Sequence, residues 1–193
     1  MKIEEIISRL RVMAREVKVS PRVCMAAADL LVDQMKEAKI MKIMLDKGAI
    51  LPTRAHPWDA GLDLYTPDKC YVPGVEVTYD SFMRAAIPNI RVGCKTIDTG
   101  VHVEIPEGYV GFIKSKSGLN VKHGLTGEGV IDAHYTGSIK VKLYNHSAEP
   151  HYFDAGDKIA QLVIVPCLLP ELEVVDQLEE TDRGDGGFGS TGR

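Results

Sequence analysis

The sequence contains no apolar run near the roughly 20 residues that a bilayer-crossing helix needs. It has no excess of basic charge either: 23 Lys and Arg stand against 27 Asp and Glu, a net −4 at pH 7. That balance argues against direct nucleic-acid binding, and no acidic run argues for a disordered tail. Cysteine is sparse. Cys24, Cys70, Cys94 and Cys167 are scattered without a C-x-x-C pair, which argues against a disulfide framework or a structural zinc site. Each is expected buried or half-buried, in a protein of the reducing cytoplasm. His56, His102, His123, His134, His146 and His151 fall in no metal-ligand spacing. The first residues, MKIEEIISRLRVMAREV, interleave Glu with Arg and lack an apolar h-region, so neither a signal peptide nor a membrane anchor is expected. No internal repeat is visible.

What is present is a globular composition, 45% apolar over 193 residues, enough for one domain and a small appendage. The 18 Gly and 10 Pro favour short strands joined by turns over a helical bundle. The chain divides near residue 40. Before it, Ile3, Ile6, Ile7, Leu10, Met13 and Val17 recur at helical spacing. Ser20 and Pro21 then read as the start of a second helix through Cys24, Ala27, Leu31 and Met35. This hairpin, residues 1–40, is expected to pack on the rest of the chain, on a partner or on a copy of itself. From Met41 to residue 182 the period is two. Val101, Val103 and Ile105 alternate with polar residues, as do Ile139, Val141 and Leu143, and Ile159–Val165 reads as a strand stopped by Pro166. Turn signals at Pro73-Gly74, Pro106-Glu107-Gly108 and Ala155-Gly156-Asp157 separate the runs, the pattern of an all-β barrel or sandwich.

Several clusters carry chemistry. The last stretch, residues 183–193, reads by composition as a flexible tail. Yet Arg183, Phe188, Ser190 and Thr191 are set among five glycines there. An arginine fork and hydroxyls bind phosphate, glycine lets backbone N–H groups approach an anion, and a lone Phe can stack on a base. A nucleotide lid is the sharper reading. In Gly129-Val130-Ile131-Asp132-Ala133-His134-Tyr135-Thr136-Gly137 a strand runs into Asp132, either a turn-capping residue or a general base, with Tyr135 as a wall beside a sugar. Lys114-Ser115-Lys116-Ser117-Gly118 is either a solvated basic turn or a phosphate cradle. Asp63 in AGLDLY and Gln161 in GDKIAQLV are each weak alone, since one polar residue in a strand is often structural.

In order, AGLDLY, SKSG, GVIDAHYTG, GDKIAQLV and RGDGGFGSTG resemble the five motifs of the homotrimeric deoxyuridine triphosphate nucleotidohydrolase (dUTPase) family, from about Met41 to the C-terminus. The resemblance implies a jelly-roll β fold, to which the helical hairpin is added, and a homotrimer with sites at subunit interfaces. It implies hydrolysis of dUTP to dUMP and pyrophosphate, which limits uracil in DNA and supplies dUMP. Asp132 would be the base and Tyr135 would stack under the deoxyribose. Gly129 and Lys140 would read uracil through main-chain groups. Lys116, Ser117, Gly118 and Gln161 would hold phosphates. Arg183, Ser190 and Thr191 would close on the terminal phosphate, with Phe188 over the base. Mg²⁺ is the implied cofactor, carried mainly by the triphosphate and touching Asp63 only through water.

There are departures. Lys116 stands where the family commonly has arginine, keeping charge but losing the bidentate fork. Residues from about 73 to 94 form an insertion, expected as a loop or short helix. Two alternatives stay open: a dCTP deaminase or bifunctional enzyme of the same fold, and an added regulatory role in which the insertion or the helical segment binds a protein partner.

Overall fold

The computed structural model describes residues 40–79, 88–181 and 184. The expected helical hairpin lies outside the described residues except for Ile40, and so do Arg183, Phe188, Ser190 and Thr191.

The regular secondary structure of the described chain is almost entirely strand. In order these are β1 (Lys42–Leu45), β2 (Gly61–Tyr65), β3 (Cys70–Val72), β4 (Glu76–Tyr79), β5 (Pro88–Arg91), β6 (Gly93–Asp98) and β7 (Val101–Glu104). They continue with β8 (Tyr109–Lys114), β9 (Leu125–Thr126), β10 (Gly129–Ile131), β11 (Lys140–Asn145), β12 (His151–Phe153) and β13 (Lys158–Pro166). One short helix, α1 (Ser117–His123), follows β8. All the pairings are antiparallel: a four-stranded sheet in the order β10-β8-β13-β2, a three-stranded sheet β6-β11-β9, and the pairs β1-β7, β12-β3 and β4-β5. This is the all-β fold that the alternating runs lead one to expect, and it is jelly-roll-like as the family resemblance implies.

Period-two alternation builds the core directly. Val101, Val103, Ile139, Val141 and Leu143 are buried, and they meet Leu62, Leu64, Ile113, Leu162, Val72 and Phe153 from the other sheets in one cluster. At roughly 1.5–3 kcal/mol per buried aliphatic side chain, this cluster is the main stabilising term. Its polar members are satisfied. Buried Asn145 donates to the Val72 and Glu149 carbonyls, and its own oxygen accepts from Ser147.

Three expectations need correction. The insertion is neither loop nor short helix at its described ends: Glu76–Tyr79 pairs with Pro88–Arg91 as a ribbon. Pro88 can open β5 because an edge strand's first residue needs no donated N–H. Pro166 does not stop the strand before it but is its last residue, opposite Tyr109. Cys94 is exposed rather than buried, because it lies on the solvent side of β6; Cys70 and Cys167 are half-buried as expected.

Candidate active site

Three neighbouring strands place one row of polar residues on the four-stranded sheet. Gln161 of β13 lies opposite Lys114 of β8 on one side and Asp63 of β2 on the other. Asp63 is 5% exposed, between Leu62 and Leu64, which point the other way into the core. A carboxylate so buried needs partners. It has two: Lys116 Nζ donates to Oδ1, and Lys158 Nζ lies 2.7 Å from Oδ2. Strict alternation would put Lys158 and Gln161 on opposite faces. A bulge between Lys158 and Ala160 adds a residue, so both serve the same face. Gln161 Nε2 donates to the Ser115 carbonyl at 3.2 Å. Its amide oxygen occupies the space a Cβ on Gly61 would take, so a side chain there would push the Gln161 amide aside.

Burial by itself pushes Asp63 up, but the hydrogen bonds and charges of Lys116 and Lys158 outweigh it and hold its carboxyl below the ordinary 3.8. The same contact pushes Lys158 above its usual value. A depressed carboxylate contributes stability that is complete above its unfolded pKa and fades as pH falls through the folded one. Asp63→Ala should therefore cost about 2 kcal/mol, or about 4–8 °C in Tm, at pH 7. The gap from wild type should close toward pH 3. Equal melting of both at pH 7 would show that the two ion pairs add nothing.

The basic segment does not stay a turn. Lys116 is the N-cap of α1, with φ −75° and ψ 131° and no side-chain cap on the helix N–H groups. Ser117 and Gly118 open the helix and are exposed, so first-turn N–H groups and a hydroxyl face solvent together. Ser115 ties this segment to the connection between β9 and β10: its Oγ accepts from the Gly127 N–H at 2.8 Å and donates to the Gly127 carbonyl at 3.2 Å. Lys114 pairs with Glu128 at 2.9 Å.

The second group lies between β10 and β11. Asp132 follows β10 and is exposed. Its carbonyl accepts from the Tyr135 N–H at 3.2 Å, closing a turn in which His134 takes the left-handed φ of 68°. The Tyr135 ring lies across Gly137 so closely that any Cβ there would meet its hydroxyl, which donates to the Ser138 carbonyl at 3.1 Å. Asp98 anchors the far side, accepting from Ser138 Oγ and from the Gly100 N–H at 3.1 Å, with Lys140 Nζ 3.9 Å away. Gly129 opens β10 and Lys140 opens β11, strands of two different sheets joined by this loop.

Asp132 and the Asp63–Gln161 corner lie apart along β8. Ile131, beside Asp132, lies opposite Gly111, whereas Gln161 lies opposite Lys114. Three residues of β8, about 10 Å, separate those positions, while Gly129 lies opposite Ile113, next to Lys114. The described residues do not fit a protein-held dication. Both oxygens of Asp63 face ammonium groups, and no three His, Cys, Asp or Glu converge among the described residues.

Sequence reasoning missed Lys158, Ser115, Asp98 and His102. Only Lys158 carries a sequence signal, the adjacent apolar pair Ile159-Ala160 that interrupts alternation beside it. The others act through backbone groups and side chains distant in the sequence, which the sequence does not reveal.

The dUTPase family profile matches residues 47–192. The chain belongs to the dUTPase family. A deoxyuridine 5'-triphosphate nucleotidohydrolase of Syntrophotalea carbinolica is 40% identical over 162 residues, covering 82% of this chain and 99% of that one. The dUTPase of Staphylococcus bacteriophage 80alpha, solved with dUPNHPP, superposes with a TM-score of 0.66 at 30% identity, over 80% of this chain and 99% of its own. A mutant dUTPase of phage phi11 of S. aureus, described with a structural Mg(II) ion, matches at a TM-score of 0.59 and 28% identity, over 73% of this chain and 99% of its own. In this dUTPase 46 residues precede the matched region, and the β4–β5 ribbon lies within it. No helix among the described residues is long and apolar enough to cross a membrane.

Proposed function

We propose that this dUTPase hydrolyses dUTP to dUMP and pyrophosphate at sites completed between copies of the chain. The observation that carries the reading is the convergence of Asp63, Lys116, Lys158 and Gln161, from three distant segments, on one corner beside the exposed start of α1. A triphosphate fits that corner: Ser117 and Gly118 offer hydroxyl and backbone donors, while Gln161 and Lys116 add an amide and a charge. Lys116 and Lys158 share one carboxylate, so either ammonium can turn toward phosphate without leaving Asp63 unpaired. Mg²⁺ arrives with the triphosphate as part of the substrate, which suits a corner whose own charge is basic.

The β10–β11 segment holds the nucleoside. Its main chain at Gly129 and Lys140 pairs with uracil, and a close fit rejects purines by size, cytosine by its donors and thymine by its methyl. Tyr135, held against Gly137, leaves no room for a 2′-hydroxyl. Asp132 accepts a proton from a water as that water attacks the α-phosphorus. The bond from that phosphorus to the α,β-bridging oxygen breaks, and pyrophosphate leaves with the oxygen. Positioning and charge neutralisation do most of the work. Arg183, Ser190, Thr191 and Phe188 close over the terminal phosphate and the base.

In this reading the phosphate corner of one copy and the β10–β11 segment of another complete each site. Leu168, Leu172, Val174 and Leu178 are all more than 80% exposed, an apolar segment that a lone chain leaves in water. A homotrimer covers it, and light scattering should give a mass three times 21.2 kDa. The three free thiols among the described residues suit a reducing cytoplasm. The purified protein with Mg²⁺ should release one pyrophosphate per dUTP and spare dTTP and UTP. Equal hydrolysis of all three would overturn the reading, and ammonia released from dCTP would favour the deaminase. An added protein-binding role is supported by Val77, Tyr79 and Ile90, exposed on the inserted ribbon. Unchanged partner recovery after deletion of residues 73–94 would count against it.

A further inference from the structure

His102, absent from the motifs, lies second in β7 opposite Met44 of β1, with its side chain only 18% exposed. Its Nδ1 is 2.8 Å from the Thr136 carbonyl oxygen, and its Nε2 is 3.2 Å from Asp46 Oδ2. Thr136 stands between Tyr135 and Gly137, in the loop that carries the nucleoside wall. We propose that His102 is a positioning residue of the reaction, clamping the Thr136 carbonyl to Asp46 and so fixing the 132–137 loop. The role rests on reading that loop as the nucleoside-holding element.

The donor count supports the clamp. A carbonyl oxygen and a carboxylate only accept, so each ring nitrogen must donate, and only the imidazolium has both N–H groups. The neutral ring keeps one contact and turns a lone pair on the other. Charged groups surround it on every packed element. Asp46 follows β1, and Asp98 lies on β6 with Lys140 of β11 3.9 Å from it. Lys42 and Glu104 pair at 3.1 Å on β1 and β7, and His134 in the loop lies 3.4 Å from Glu107. The Thr136 carbonyl first, then Asp46, push His102 above its usual 6.5, against a smaller opposing effect of burial. A raised histidine gives its full contribution below 6.5 and loses it as pH rises through the folded value. The loop's other end is fixed by Asp98 through Ser138, to whose carbonyl the Tyr135 hydroxyl donates, so losing His102 frees the backbone at Thr136 and leaves the Tyr135 ring held from one side only. Small misplacements there are costly to an oriented reaction.

The test uses wild type, His102→Gln and Asp46→Asn as full chains. Two readouts are taken: kcat/KM for dUTP with Mg²⁺ across pH 6–9, and amide hydrogen exchange of residues 132–138 at one fixed pH. In wild type kcat/KM should fall about tenfold through one titration above pH 6.5. His102→Gln should stay at the lower level throughout and exchange several-fold faster within 132–138 alone. Asp46→Asn should keep the upper level with no step, since the new amide donates to a neutral Nε2 while Nδ1–H holds Thr136. A wild-type step persisting in His102→Gln, or unchanged exchange, overturns the clamp. Wild type that spares dUTP at every pH overturns the functional reading instead, and exchange then still decides the clamp. If His102→Gln fails to fold, the loss or persistence of the step in Asp46→Asn decides.

Discussion

Asp132→Asn should lower kcat for dUTP by about 10²–10⁴-fold while leaving KM within a few-fold. The size follows from what the carboxylate does and does not hold. Its side chain is exposed, and the turn after β10 is closed by its backbone carbonyl, which accepts from the Tyr135 N–H at 3.2 Å. Asparagine has the same shape and is equally at home in such a turn. The fold of the β10–β11 segment, the seat of the sugar and the uracil-reading main chain are therefore preserved. What disappears is the group that takes the proton of the attacking water. Single-turnover hydrolysis combined with binding of a non-hydrolysable dUTP analogue separates these effects: the chemical step should collapse and binding should hold. A preserved rate would mean that another group is the base. A parallel loss of binding would mean that Asp132 holds substrate rather than activating water.

The reach of the sequence shows residue by residue. Val101, Val103, Ile139, Val141 and Leu143 could be placed in the core because a strand's period leaves no other face for them. Asp63 and Gln161, each weak alone, gained weight from motif order, and they do lie side by side on β2 and β13. Lys158 escaped because a bulge changed its face, and bulges obey local backbone geometry rather than composition. The α1 helix escaped because seven residues with no buried member carry no apolar periodicity. The ribbon at Glu76–Tyr79 escaped for a related reason. All four residues are exposed, so neither face records a core. His102 read as one more scattered histidine, since its partners are a backbone carbonyl and a carboxylate 56 residues away.

Removing residues 183–193 should leave the fold, the melting temperature and the trimer mass unchanged while activity falls by at least about 10²-fold. The described core explains the first half. Its last buried member is Leu162, and the chain beyond Pro166 contributes no strand among the described residues. Gly184 marks where the arm begins: its N–H donates to the Thr181 carbonyl at 3.0 Å and to Thr181 Oγ1 at 3.2 Å, a turn at φ 44°. The second half follows from the charges. An α-phosphorus under attack sheds charge onto pyrophosphate, and Arg183 with the Ser190 and Thr191 hydroxyls supplies donors aimed at that leaving group. Phe188→Ala separates the two roles of the arm. Loss of one base-stacking ring is worth about 1–3 kcal/mol, so KM should rise about tenfold or more with a smaller change in kcat. Truncation should raise KM and lower kcat together. If the truncated chain hydrolyses dUTP at the full rate, the phosphate corner and the β10–β11 segment suffice, and the glycine-rich end is a tail after all.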